Sequence, residues 1–125
     1  MAALRGMVSG KSLRILCLED NPLIAFHIEQ MIEDLGHVLA ATFGSFAELL
    51  EAGASEADCA LVDIDLADGR TGPDAAQWLR QRGVRCIFVT GQVDVASAHS
   101  ELVMSCVPKP VSLDQLASAL ADIFE

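Results

Sequence analysis

The sequence predicts an open parallel α/β sheet with helices on both faces, and three observations carry that prediction. Short apolar runs fit for buried strands alternate with segments of helical spacing over nearly the whole chain. Capping residues, prolines and glycines mark most of the helix ends. The connections are short, and strict βα alternation implies parallel strands joined by crossover helices. At 125 residues and 52% apolar side chains, one domain is expected, and a chain of this size buries about two-thirds of its unfolded surface. That domain is placed at residues 13–125, behind a loose basic tail at 1–12.

Taken in order, residues 13–18 form an apolar run suited to a first strand. Asn21 and Pro22 then supply an N-cap and a proline at the first helical position. Ile24, Ile28, Met31, Ile32 and Leu35 follow at helical spacing, and Gly36 ends the helix. Residues 37–42 make a second strand. Ser45-Phe46-Ala47-Glu48 is a capping box opening a short helix that stops at Gly53. The third strand is placed at 59–63, the third helix at 73–82 with Gly83 behind it, and the fourth strand at 84–90. Residues 93–101 read as a short helix poor in helix formers, and 102–107 as the fifth strand. Ser112-Leu113-Asp114-Gln115 is a second capping box, and Leu116, Leu120 and Ile123 line one face of the last helix.

Eight basic residues stand against 18 acidic ones, a net charge of −10. Arg5, Lys11 and Arg14 are the only charged side chains among the first fourteen residues, so setting these three cations aside leaves −13 for the rest. No basic stripe remains to neutralise phosphates, which argues against a nucleic-acid partner. No apolar run exceeds about four residues, far from the roughly 18 of a membrane span. The first twelve residues lack the apolar centre of a signal peptide, so a cytoplasmic location is expected. Four cysteines, 20 to 42 residues apart in or beside apolar runs, read as core residues, and the three histidines lack zinc-ligand spacing. Residues 6–12 approach a phosphate-binding loop but fall one residue short and precede the first strand instead of following one.

Open parallel sheets bind ligands outside the carboxyl ends of their strands. Here those ends carry Glu19-Asp20, Asp63, Thr90 and Lys109-Pro110. Two like charges about 4 Å apart repel by roughly 4 kcal/mol at an effective dielectric near 20. A cluster of carboxylates without His or Cys finds relief in a hard divalent cation, which suits Mg2+. Lys109 is one of only two lysines in the chain and sits among Val107, Pro108, Pro110 and Val111. A carboxylate nucleophile, a hydroxyl, a lysine and Mg2+ together suit reversible phosphoryl transfer to an aspartate.

Four stretches make the likeness specific: Leu16-Cys17-Leu18-Glu19-Asp20-Asn21-Pro22, Leu61-Val62-Asp63-Ile64-Asp65-Leu66, Val89-Thr90-Gly91 and Pro108-Lys109-Pro110. In order and spacing they resemble a response-regulator receiver domain over about residues 13–124. The resemblance implies a flavodoxin-like sheet of order 2-1-3-4-5 with a short fourth helix. It implies that Asp63 accepts a phosphoryl group from a sensor histidine kinase. Asp20 and Asp63 would hold Mg2+ directly, Glu19 through water, and the Asp65 backbone carbonyl would complete the protein ligands. Thr90 and Lys109 would bind phosphoryl oxygens, and the Lys109–Pro110 peptide would be cis. Such a domain is a phosphoacceptor that loses its group by hydrolysis, not a turnover enzyme.

Phe88-Val89-Thr90-Gly91-Gln92 and the loop from Asp63 to Pro73 resemble a single-domain receiver subgroup associated with HWE/HisKA2-type kinases. Two departures stand out. Cys106 lies where receivers usually place an aromatic ring, and Val93 replaces the tyrosine that ends the subgroup motif. Their absence favours a phosphate sink over a partner-binding switch that acts on a downstream signalling protein. The Asp63-x-Asp65 pair also resembles haloacid-dehalogenase-type phosphatases, which would use Asp63 as nucleophile. Those enzymes place the acidic pair last in the chain, where here it comes first.

Overall fold

Strand β1 spans Arg14–Leu18 and feeds helix α1, Pro22–Asp34. Asn21 caps α1, its side chain accepting from the Leu23 and Ile24 N–H groups, with Pro22 in the first turn. The chain continues through β2 (Val38–Phe43), α2 (Phe46–Ala52), β3 (Cys59–Val62), α3 (Gly72–Arg80) and β4 (Arg85–Thr90). It closes with α4 (Val93–Ser97), β5 (Ser105–Pro108) and α5 (Leu113–Ala121). The structure, a computed structural model, describes residues 12–54 and 56–124. Residues 1–11 of the expected basic tail, and with them nearly all of the 6–12 stretch, lie outside the described residues.

All strand pairings are parallel, in the order β2-β1-β3-β4-β5. Alternate side chains divide the core into two layers, as the pleat of a strand requires. Ile15, Cys17, Leu61, Ile87, Val89 and Val107 face α1 and α5, where Ile28, Ile32, Leu116 and Leu120 meet them. Leu16, Leu18, Val62 and Phe88 face the other way, toward Leu49 of α2, Ala76 and Leu79 of α3 and Ala96 of α4. The thiols of Cys17, Cys59 and Cys86 lie within these layers, and burial first of all pushes each up to about 12. They therefore stay protonated and act as small core groups.

Two expectations needed correction near the end of the sheet. The fifth strand is Ser105–Pro108, shorter and later than 102–107. Leu102 ends a 3₁₀ turn, Ser100–Leu102, and with Val103 packs on the second core layer from a loop. An apolar run signals burial, and burial here is reached by packing without pairing. The helix expected at 93–101 is broken into α4 and that 3₁₀ turn, as its Val, Ser and Asp content allows. The capping boxes also differ in detail. Ser45 accepts from the Glu48 N–H at 3.0 Å, while the Glu48 carboxylate reaches back to the N–H of Gly44 and not of Ser45.

Gly72 is held by the closeness of two backbones. Its N–H donates to the Ile64 carbonyl at 2.9 Å. A Cβ there would stand 2.0 Å from the Asp63 carbonyl oxygen and 2.7 Å from the Ile64 Cα. Both obstacles are main chain, so neither can rotate away. Gly72→Ala is expected to lower the urea unfolding free energy by about 3 kcal/mol, the upper end for overpacking. An Ala variant with an unchanged unfolding midpoint would show that the loop yields freely.

Candidate functional site

The strand order decides which sequence-predicted residues meet. β1 and β3 are neighbours, with Leu18 paired to Val62, so the next residues, Glu19 and Asp63, emerge side by side. This is also where the order of strands reverses, the position at which open α/β sheets form a crevice. Backbone bonds carry the pairing one step past the strands: Asp63 N–H donates to Leu18 O and Glu19 N–H to Phe43 O, both at 3.0 Å. On the far side Thr90 pairs with Pro108, and the Lys109 N–H donates to the Thr90 carbonyl at 3.0 Å. The Lys109–Pro110 peptide is cis.

Lys109 crosses the crevice. Its Nζ lies 2.6 Å from Glu19 Oε1 and 2.8 Å from Asp63 Oδ2. Glu19 is 4% exposed and Asp63 8%, so both carboxylates are held almost out of water. Their remaining oxygens take backbone donors: Glu19 Oε2 accepts from the Asn21 N–H at 3.1 Å and Asp63 Oδ1 from the Ile64 N–H at 2.7 Å. Burial pushes the Glu19 carboxyl above its ordinary range, against the bonds from Lys109 and Asn21, and the Asp63 charge adds to the rise. Burial works against the Lys109 ammonium, yet its bonds to Asp63 and Glu19 prevail and hold it above the ordinary lysine range. Thr90 is fully buried, and its Oγ1 accepts from the Gln92 N–H at 3.0 Å.

Asp20 is exposed beside this pair, and ligand oxygens of Glu19, Asp20 and Asp63 lie within 4.8 Å of one another. Three carboxylates against one ammonium leave two negative charges uncompensated. The donors are all oxygen and one edge is open to solvent. That set fits Mg2+, which keeps several waters and takes few protein ligands. Asp65 stands apart from the cluster. Its side chain turns to Arg70, 2.9 Å away, and to Gln92. These two hydrogen bonds, Arg70 first, hold its carboxyl below the usual range.

The chain matches the response regulator receiver domain over residues 15–121. It belongs to that family. This receiver is 34% identical over 89 residues to the Phyllosphere-induced regulator PhyR of Methylorubrum extorquens, covering 69% of this chain and 33% of PhyR. It is 26% identical over 122 residues to the sensor protein GacS of Pseudomonas syringae pv. syringae, covering 90% of this chain and 14% of GacS. The receiver thus spans a third or less of either relative. The solution structure of the receiver domain of Erythrobacter litoralis PhyR superposes with a TM-score of 0.82 at 28% identity, covering 93% of this chain and 92% of that one. Among the described residues, no helix is long and apolar enough to cross a membrane.

Three residues near the site escaped the sequence reading. Gly72 holds the loop against the Asp63 backbone. Asp68 accepts from the Phe46 and Ala47 N–H groups at the start of α2 and from the Thr71 hydroxyl. Arg70 binds Asp65 and Gln92 together. Only Gly72 carried a signal, as a glycine ahead of a helix-starting proline.

The buried ion pairs set a pH dependence in metal-free solution. A Glu19 carboxyl raised in the folded state means that the folded protein binds its proton more tightly. Its burial penalty is absent below the unfolded value near 4.5 and complete above the folded one. Lys109 has the opposite sense: its contribution is full below 10.5 and is lost as pH rises through the higher folded value. Lys109→Met is expected to cost about 3 kcal/mol near pH 7, because two buried carboxylates lose their shared cation. The loss should shrink as pH falls through the Glu19 titration, which urea unfolding at a series of pH values in EDTA would measure. A loss independent of pH would refute the electrostatic account.

Proposed function

We propose that this receiver accepts a phosphoryl group on Asp63 from a phosphohistidine of a sensor histidine kinase. The observation that carries the reading is the place of Asp63: a buried carboxylate at the switch point, bonded to Lys109 and next to Glu19 and Asp20. In the transfer the phosphorus–nitrogen bond of the donor breaks as a bond forms from an Asp63 oxygen to phosphorus. Lys109 offers a fixed positive charge to the phosphoryl oxygens, and the Thr90 hydroxyl a hydrogen-bond donor. Asp20 and Asp63 directly, Glu19 through water, and the Asp65 backbone carbonyl would hold Mg2+. Bound there, the ion would neutralise charge on the phosphoryl oxygens. Water later takes the group as inorganic phosphate. The likeness to PhyR and to the sensor protein GacS supports a place in two-component signalling. The stretch Phe88–Gln92 points to a kinase of the HWE/HisKA2 type.

Phosphotransfer from candidate kinases tests the assignment. Wild type with Mg2+ should take up label, and Asp63→Asn or removal of Mg2+ should abolish it; label retained on Asp63→Asn would sink the proposal. The metal site has its own readout. Asp20→Asn relieves repulsion and should raise the melting temperature in EDTA, yet it should lose the upward shift that Mg2+ gives wild type, about 2.7 kcal/mol at a hundredfold excess over Kd. An equal Mg2+ shift in both proteins would contradict the proposed ligand set. Within a pathway, such a domain drains phosphoryl groups or switches a partner. Fast turnover with no phosphorylation-dependent partner marks the sink.

A further inference from the structure

The rim carries a second set of contacts that phosphotransfer does not use. Arg70, in the loop between β3 and α3, donates from Nε to Asp65 Oδ1 at 2.9 Å and from a terminal nitrogen to Gln92 Oε1 at 2.6 Å. Gln92 Nε2 donates in turn to Asp65 Oδ2. The three side chains close a ring that ties this loop to the one between β4 and α4. Gln92 has a second attachment, because its backbone N–H donates to the buried Thr90 Oγ1 at 3.0 Å. One residue therefore joins a hydroxyl inside the site to a guanidinium that is half exposed.

Resting on the phosphoacceptor reading of Asp63, we propose that Thr90, Gln92, Asp65 and Arg70 form a relay that carries phosphorylation to the protein surface without an aromatic ring. The Thr90 hydroxyl sits in one rotamer while it accepts the Gln92 N–H. A turn toward a phosphoryl group takes Oγ1 out of line with that N–H. The half-buried N–H then needs a new acceptor, so the loop after Thr90 shifts and draws the Gln92 amide out of the ring. Arg70 is left with one exposed ion pair, which restrains its long side chain little. The movement meets little resistance, since α4 has only five residues and few good helix formers. At the other end, Asp68 in the Arg70 loop caps α2 through Phe46 and Ala47, so a displaced loop reaches that helix.

Fluorine-19 and nitrogen-15 NMR with Mg2+ and beryllofluoride, a mimic of the phosphoryl group, test the relay. Bound fluoride signals should appear with wild type and be absent with Asp63→Asn. On binding, the Arg70 Nε–H resonance should shift and the Gln92 backbone amide should exchange faster. Arg70→Ala should already raise that amide's exchange about fivefold without the mimic, the scale of an exposed charged network. Arg82→Ala should not, because the Arg82 guanidinium stacks on Trp78 at 3.7 Å, outside the ring. Bound fluoride with unmoved Arg70 and Gln92 signals would overturn the relay and leave the phosphoacceptor reading intact. Unchanged exchange in Arg70→Ala would do the same. No bound fluoride in wild type would overturn both.

Discussion

A single ammonium group, Lys109 Nζ, lies within 2.8 Å of two nearly buried carboxylates. The site is organised around that contact. Glu19 and Asp63 could not both stay ionised and dry at adjoining strand ends without a shared cation, since an unpaired buried charge costs several kcal/mol. The ammonium satisfies both but leaves the cluster short of neutrality once Asp20 is counted. On the proposed reading, that residual charge is what draws a divalent ion to the cluster. A fully neutralised cluster would have no electrostatic reason to take a divalent ion, and a site without Lys109 would have no fixed charge for the phosphoryl group proposed to enter it. The fold supports the imbalance by giving the spare carboxylate oxygens the N–H groups of Asn21 and Ile64.

The same contact shows what could be read from residues alone. Strand ends were legible because each apolar run stops at a polar residue, and Glu19, Asp20, Asp63, Thr90 and Lys109 all follow such runs. Parallel alternation placed them on one rim. Their grouping followed only from strand order, for which the residues supplied a likeness and not a derivation. Buried elements with strong caps, such as α1 behind Asn21, were legible to within a residue or two. The region from 93 to 107 was less so. There Leu102 and Val103 are apolar for packing and not for pairing, and no local pattern separates those purposes.

What stayed hidden has a common cause. Gly72, Asp68 and Arg70 act through contacts set by the path of one loop, between residues far apart in sequence or facing main chain. The Arg70 guanidinium reaches Gln92 across 22 positions, and Asp68 reaches Phe46 across the same number. No spacing rule links such pairs. Arg70 in isolation is an exposed cation in an acidic chain, and its partners become evident only when the loop is folded against the neighbouring strand end.

The missing rings at 93 and 106 bear on the response proposed for phosphorylation of Asp63. Absence of an aromatic switch argues for a sink only if a moving ring is the sole route from Thr90 to the surface. Here Cys106 is half-buried and Val93 is exposed, so neither offers a large side chain that could alternate between a buried and an exposed place. Yet the Thr90 hydroxyl is bonded to a residue whose side chain reaches the surface ring. A hydrogen-bonded relay differs from a ring in kind. It needs no cavity to receive a bulky group, and its resting state is held by exposed polar bonds that salt and neighbouring charges weaken. A receiver built this way would pass its signal through small movements of two loops, at the Arg70 edge of the rim. The length of time for which Asp63 keeps the proposed phosphoryl group, and not the presence of a ring, would then separate a switch from a sink.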